Sequence, residues 1–166
     1  MNYHNHNQLF GFTLIELLIV IGIISVLAAL TFVAVNPAKR FAQAINTARW
    51  TATNAVLNAV LVYTVDNNGI VPAAIDNVPA TSQIMGTATT GCDTGCVAAS
   101  TTPACVDLDP YLVNEYLAEM PVDPSTGSFS SSTNYYTDYY INKSTQGRLT
   151  VGACNAELSE TIRVKR

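Results

Sequence analysis

The chain has 166 residues, 49% of them hydrophobic, which suits one small domain together with a membrane segment rather than two full domains. Only 12% of the residues are charged and the net charge is -4, so the composition offers no general basic surface for nucleic acid. All four cysteines lie between Cys92 and Cys154, and an oxidising compartment would favour disulfides among them. Composition therefore predicts an exported domain with a membrane segment.

An almost entirely apolar run extends from Phe12 to Val35. At ~1.5 Å per helical residue it is long enough to cross a ~30 Å hydrocarbon core. The run contains one carboxylate, Glu16, and a glutamate inside hydrocarbon costs roughly 2.5 to 3.5 kcal/mol. An anchor alone would be better without this residue, so we predict a specific role for Glu16.

A secretory signal peptide and a plain signal anchor both fit this N-terminus less well. The apolar core of a secretory signal peptide usually has only ~7 to 15 residues and is followed by a small-residue cleavage site. A plain signal anchor fits the length, but it predicts neither a Gly-Phe junction nor a glutamate five residues further on.

The sequence Gly-Phe-Thr-Leu-Ile-Glu at residues 11–16 resembles the class III signal of type IV prepilins and pseudopilins. The resemblance implies that a prepilin peptidase cuts after Gly11, removing a leader of residues 1–11, and methylates the new N-terminal Phe12. It also implies that Glu16 pairs with the positive N-terminal amine of a neighbouring subunit. The leader has no lysine or arginine, and we assign no function to its two histidines.

The helical pattern continues beyond the apolar run. Apolar residues recur at three- and four-residue steps over residues 36–66, which predicts an amphipathic helix. We expect one helix from Phe12 to about Val65, in which residues 12–35 span the membrane or form a filament core and residues 36–66 pack on a globular head. Pro37 should kink or loosen it, and Gly22 is a second weak point. Asp-Asn-Asn-Gly at residues 66–69 should end it.

Residues 70–102 are rich in Ala, Thr, Gly and Pro, which predicts a long, exposed connecting loop. Four cysteines allow three disulfide pairings, and the sequence alone does not choose among them. We favour Cys92 with Cys96 and Cys105 with Cys154, because the second bond would tie the loop to the C-terminal sheet. A zinc site formed by all four is the less favoured alternative, since the spacing is not that of a zinc ribbon.

Asp109, as the N-cap, and Pro110, in the first turn, predict the start of a short helix that continues through Leu117. Residues 121–127 then carry a double-turn signal and resemble a segment of pseudopilin-like chains, some of which hold calcium nearby. Asp123 and Asp138 are the candidate calcium ligands in this region. They are too few for a dedicated site of about six to eight oxygens unless backbone carbonyls contribute, so we favour a turn stabilised by aspartate and predict no cofactor.

Three runs of β-forming residues, 135–142, 148–153 and 161–165, predict an antiparallel meander at the end of the chain. The tyrosines of the first run should face both sides of the sheet, one set against the helix. The predicted fold class is α+β, with the pilin-like layout that the resemblance implies: a long N-terminal helix packed on an antiparallel sheet of three to four strands. The head would comprise residues 67–166.

Motifs of common enzyme classes are missing from the sequence. It contains no Gly-rich phosphate loop, HExxH or GxSxG, and its two histidines, His4 and His6, both precede Gly11. The predicted mature chain would therefore lack histidine, the commonest general acid or base. We predict that the protein is not an enzyme.

The function predicted from these features is that of a structural subunit of a type IV pilus or related filament. Its expected partners are copies of itself and other pilins, the prepilin peptidase, an inner-membrane assembly platform and, before assembly, membrane lipid. The precursor should cross the inner membrane once with its head outside the cytoplasm, and the filament should be extracellular or periplasmic.

Three alternative functions are compatible with the same sequence. They are a pseudopilin of a type II secretion system, a minor pilin for adhesion or DNA uptake, and a monomeric membrane-anchored binding domain. Nucleic acid is an expected partner only for the minor pilin, whose signature would be a positive patch formed by Arg148, Arg163, Lys165 and Arg166.

Overall fold

The computed structural model describes residues 11–166, without the side chains of residues 34 and 35. The predicted leader, apart from Gly11, lies outside the described residues. The chain divides into two compact units, one ending at Arg40 and one spanning Phe41–Arg166. The candidate membrane segment belongs entirely to the first unit, and the second unit is the globular head.

The first unit contains helix α1, Leu14–Val35. Its stretch Leu14–Val33 is long and apolar enough to cross a membrane. All described side chains of α1 are exposed, so packing among residues 11–166 does not account for their apolar character. A helix that is apolar on every side is stable only when lipid or other protein surrounds it.

Asn36 separates α1 from helix α2, Pro37–Asp66. Asn36 has a left-handed backbone (φ 44°, ψ 79°), and its side-chain Oδ1 accepts a 3.3 Å hydrogen bond from the backbone N–H of Lys39. Pro37 takes the first position of α2, where its missing N–H costs nothing because that group has no partner within a helix. Our prediction of one continuous helix is therefore wrong at this point, and Pro37 starts a second helix.

Helix α2 packs on the inner face of the head's sheet. Its buried residues Thr53, Val56, Leu57 and Val60 recur at the three- and four-residue steps of one helix face. They share a core with apolar residues of the sheet, among them Tyr139, Ile141 and Val151. The helix ends where predicted, followed by the left-handed residues Asn68 (φ 57°) and Gly69 (φ 87°).

The sheet has five antiparallel strands among the described residues: β1 (Gln83–Gly86), β2 (Ser128–Ser131), β3 (Asn134–Lys143), β4 (Leu149–Ala153) and β5 (Arg163–Lys165). Their order is β1-β3-β4-β5, and β2 also pairs with β3. The predicted meander corresponds to β3, β4 and β5. The α+β, pilin-like layout is thus confirmed, with five strands instead of the expected three to four.

The two additional strands had no clear sequence signal. Strand β1 lies inside the predicted loop 70–102, and three of its four residues are buried, so it lacks the alternation that identifies a strand. It is stabilised by pairing with β3 and by a parallel bridge between Met85 and Val106. All residues of β2 are exposed, which leaves no apolar periodicity to detect.

Helix α3, Asp109–Leu112, is shorter than predicted. Asp109 is its first helical residue, and Leu108 precedes it as the N-cap, so the predicted capping role of Asp109 is wrong. The helix stops at Val113, whose backbone is extended (φ -76°, ψ 145°), and the left-handed Asn114 (φ 73°) follows, so the helix does not reach Leu117.

The tyrosines of β3 face both sides of the sheet, as predicted. Tyr135 and Tyr139 lie in the core beneath α2. Tyr136 and Tyr140 lie on the opposite, outer face, where they pack against residues of the disulfide-bonded loop.

The disulfides pair Cys92 with Cys105 and Cys96 with Cys154. The pairing favoured from the sequence is therefore wrong. The first bond closes a short loop within residues 92–105, and the second ties this loop to the end of β4. The loop covers the outer face around Tyr140, a tertiary arrangement that cysteine spacing does not reveal.

Candidate functional site

The predicted processing junction lies immediately before α1. Gly11 and Phe12 precede the helix in non-helical backbone, and 85% of the Phe12 surface is exposed. A Cβ added at Gly11 would meet no heavy atom within 4 Å. Packing within the chain therefore does not require glycine at this position, and a requirement for it would have to come from an enzyme that recognises the junction.

Thr13 and Glu16 form a capping box at the start of α1. The Glu16 carboxylate accepts hydrogen bonds from the backbone N–H of Thr13 (2.8 Å) and from its hydroxyl (2.7 Å). In return, the backbone N–H of Glu16 donates to the Thr13 hydroxyl at 3.3 Å. These bonds satisfy two groups that would lack partners at a helix N-terminus, and the negative charge is favourable there.

Thr13 was not among the predicted site residues. Its signal was present, because a threonine followed three residues later by glutamate, ahead of an apolar run, is the signature of a capping box. Glu16 therefore has a partner inside its own chain, in addition to the neighbouring amine that the resemblance implies.

The other hydroxyl side chains of α1 also have partners. Ser25 donates to the carbonyl of Ile21 at 2.7 Å, and Thr31 donates to the carbonyl of Ala28 at 2.9 Å. Such bonds to the preceding turn allow hydroxyl groups to enter an apolar environment without an unsatisfied donor. Glu16 is thus the one ionisable group on an otherwise lipid-compatible helix.

An exposed, membrane-length apolar helix followed by an α+β head is a pilin-like layout. Residues 10–32 match the family model described as the prokaryotic N-terminal methylation motif, which is the class III signal of type IV pilins. The resemblance read from residues 11–16 is thereby confirmed. No curated protein and no solved structure matches the chain at a significant level.

The motif indicates in general terms what type of protein this is and how it is processed. It is found on structural, pilin-type proteins rather than on enzymes, and it implies processing by a prepilin peptidase and assembly with other pilins. Together with the apolar helix it fits a precursor that is anchored in a membrane. Because the match covers only residues 10–32, it says nothing of the head.

The head contains a buried ion pair that joins α2 to the turn after residue 121. The Arg49 side chain is fully buried, and its Nε lies 2.5 Å from Oδ2 of Asp123, while a second guanidinium nitrogen donates to Oδ1 at 3.1 Å. Backbone N–H groups of Ser125 and Thr126 also donate to Asp123. Burial alone would raise the pKa of Asp123, but the hydrogen bonds and positive charge of Arg49 and these N–H groups lower it overall.

The same cluster fixes the segment after β4. Asn46 orients Arg49 by accepting a 3.0 Å hydrogen bond, and it also donates to the backbone carbonyl of Glu157 and to the Glu160 carboxylate. Trp50 donates to the other oxygen of Glu160 at 3.1 Å. Helix α2, the 121–127 turn and the 157–160 segment are thus held together by polar contacts beside the apolar core.

The two candidate calcium ligands already have protein partners. Asp123 is bound as described, and Asp138 accepts hydrogen bonds from Thr126, Tyr136 and Asn155. A calcium ion at Asp123 would have to displace the Arg49 guanidinium. Between residues 11 and 166, no group of three or more potential metal-ligating side chains is found.

Proposed function

We propose that this chain is a structural subunit of a type IV pilus or a related filament. In this proposal a prepilin peptidase cleaves after Gly11, Phe12 becomes the methylated N-terminus, and α1 helices of many copies pack together. The observation that carries the proposal is the exposed α1, which is apolar on every side apart from Glu16 and begins directly after a junction that matches the methylation motif. Such a helix needs lipid before assembly and neighbouring helices afterwards.

Glu16 would set the axial position of neighbouring subunits. A carboxylate in an apolar bundle is stabilised when it meets a cation, and the amine of a neighbouring Phe12 would provide one. Incorrect registers would leave the charge unpaired, so apolar packing would supply adhesion while Glu16 selects the register. The capping box supports this proposal, because it keeps the carboxylate beside the N-terminus of its own helix.

Glu16 would have two roles, capping α1 and pairing with an amine. Substitutions at positions 16 and 13 test these roles separately. Glu16→Gln keeps oxygen and amide groups for the cap but removes the charge, whereas Thr13→Ala removes the hydroxyl of the cap and keeps the charge. We expect Glu16→Gln and Glu16→Ala to insert in the membrane normally and to lower filament yield strongly, and Thr13→Ala to lower it less. Filament yield is measured on sheared surface filaments, with mass spectrometry for a chain that starts at methylated Phe12.

The results distinguish the alternatives. Normal filaments from Glu16→Gln together with few from Thr13→Ala would show that the residue acts through the cap and not through its charge. A wild-type chain that is membrane-bound, uncleaved and absent from filaments would contradict the proposed function and favour a membrane-anchored binding domain.

A further inference from the structure

Three cations lie on one face of the β4–β5 pair. Arg163 stands opposite Gly152, and Lys165 stands opposite Thr150. Opposed residues of antiparallel strands project to the same side, so both cations share the face that lies away from the α2 core. Arg148 immediately precedes the buried Leu149, and its backbone N–H donates to the Ser144 hydroxyl across the turn. Because successive residues of a strand point to opposite faces, Arg148 lies on the same face as Arg163 and Lys165.

This face lies at the border of the sheet. Strand β5 is the last in the order β1-β3-β4-β5, and no described strand pairs with its far side. Arg148, Arg163 and Lys165 are all exposed. We refer to these three residues as the basic edge.

Two carboxylates lie beyond the opposite border. The parallel bridge between Met85 and Val106 places the segment that carries Asp107 and Asp109 outside β1, the first strand in the order. Tyr135 fixes their position, because its hydroxyl donates to Asp107 at 2.8 Å and accepts from the backbone N–H of Asp109 at 3.3 Å. The two carboxylates at this border are therefore held in fixed positions by Tyr135.

Two exposed carboxylates extend the same border. Asp66 ends α2 less than one turn after Tyr63, and Glu115 immediately precedes Tyr116, so the contact between these two tyrosine rings brings the end of α2 and the segment after α3 together. Tyr63 of α2 contacts Tyr111 and Tyr116 with ring centroids 5.9 Å apart in each case, which anchors this segment to the helix. We refer to Asp66, Asp107, Asp109 and Glu115 as the acidic edge.

Among residues 11–166, neither edge is neutralised by an ion pair. The ion pairs among residues 11–166 are Arg49 with Asp123 and Arg49 with Glu157, and no residue of either edge takes part in them. Burial and the neighbouring Asp107 charge raise the pKa of Asp109, which means that they disfavour its ionised form. A nearby cation would stabilise the negative charge of this carboxylate. Opposite charges are thus left unpaired on opposite borders of one sheet.

We propose that the basic edge of one copy docks on the acidic edge of a second copy. A contact between two different surfaces of identical subunits is heterologous, and when its rotation does not close a ring it repeats indefinitely along a helix. The inference rests on the proposed function, and it names the head surfaces that would meet in the filament. Weak individual contacts suffice there, because packed α1 helices hold the heads at high effective concentration.

A polyanion such as nucleic acid is a less suitable partner. The chain has a net charge of -4, and only three cations line the basic edge, so attraction at a distance is weak. Charged side chains on β5 also prevent another strand from adding to this border. The contact is therefore one between side chains rather than an extension of the sheet.

Charge reversal with compensation tests the contact in the full-length chain. The pair R163E and K165E reverses the basic edge, and the pair D66K and E115K reverses exposed positions of the acidic edge. We expect each pair to lower filament yield about tenfold and the combination of all four to restore most of it, because like charges then become opposite again. D93K, an exposed charge change on neither edge, should leave the yield unchanged.

Cross-linking provides a readout that does not depend on filaments. A zero-length carbodiimide should join Lys165 of one wild-type copy to Asp66 or Glu115 of another in membranes, and R163E should reduce this product. No intermolecular product, or reversal pairs that leave filament yield unchanged, would overturn the proposal. Loss of DNA binding in R163E/K165E with normal filaments would overturn it as well and indicate a polyanion partner. Wild-type chains that cross-link in this way but never form filaments would contradict the proposed function alone.

Discussion

Arg49 is the residue whose environment departs most from its usual one. An arginine is almost never fully buried unless it is paired, and here the guanidinium lies between α2 and the 121–127 turn with Asp123 as its main partner. Removing only one member of such a pair leaves an uncompensated charge in the interior. The pair thus makes the docking of the turn on α2 depend on both side chains.

We expect Arg49→Met to destabilise the head by ~3 to 5 kcal/mol, since the Asp123 carboxylate would remain buried without a cation. Urea unfolding of the full-length chain in detergent measures this loss. Arg148→Met, at an exposed arginine, serves as the matched control and should change stability little. Adding Asp123→Asn to Arg49→Met should recover part of the loss, and a single Arg49→Met variant as stable as wild type would contradict the assignment.

Asp123 should also make the stability of the head depend on pH. Its pKa in the folded head is lowered, so its contribution to stability is fully present above the unfolded value of about 3.9 and is lost as the pH falls through the lower folded value. The head should therefore lose stability below about pH 4. The raised pKa of Asp109 acts in the opposite direction.

Comparison with Asp123→Asn isolates the contribution of this carboxylate. The variant should be less stable than wild type at neutral pH, and its free energy of unfolding should fall less steeply on acidification. Equal slopes for the two proteins between pH 5 and pH 2 would show that Asp123 is not held by Arg49 as described.

At the scale of secondary structure, the sequence predicted what local patterns control. The apolar run predicted α1, the three- and four-residue steps predicted α2, and the runs of β-forming residues predicted β3, β4 and β5, because each of these signals is contained within a single element. Pro37 was recognised as a disruption, but whether it kinks a helix or starts one depends on Asn36 adopting a left-handed backbone. The partner of Arg49 was not predicted, since Asp123 lies 74 residues further along the chain. The disulfide partners were not predicted correctly, since cysteine spacing alone does not choose among the possible pairings.

The pairing of the four cysteines can be tested directly by peptide mapping. We expect peptide mapping of the unreduced protein to yield Cys92 linked to Cys105 and Cys96 linked to Cys154. The first bond encloses a short loop, whereas the second connects positions 58 residues apart and should constrain the unfolded chain more. Cys96→Ser/Cys154→Ser should therefore be less stable in thermal unfolding than Cys92→Ser/Cys105→Ser. Recovery of a Cys92–Cys96 peptide would contradict the arrangement.

At the scale of the whole molecule, the chain separates two tasks between its two units. The head has its own apolar core, its disulfides and the Arg49–Asp123 pair within residues 41–166. The unit that ends at Arg40 contributes the processing junction and the whole of α1, whose exposed apolar side chains need surroundings that residues 11–166 do not supply. Folding of the head and processing of the junction should therefore respond to different substitutions.

Gly11→Val tests this separation. Position 11 is exposed and a Cβ there meets nothing, so the variant should insert in the membrane and its head should unfold at the wild-type temperature. Processing should stop, because the junction would no longer match the methylation motif, and the chain should keep its leader and be absent from filaments. Val33→Leu, an exposed position of α1 beyond the residues that match the motif, should be processed normally. Intact-mass measurement of the membrane fraction shows whether the leader has been removed. If the Gly11→Val variant yields a chain that starts at Phe12, the assigned cleavage site is refuted.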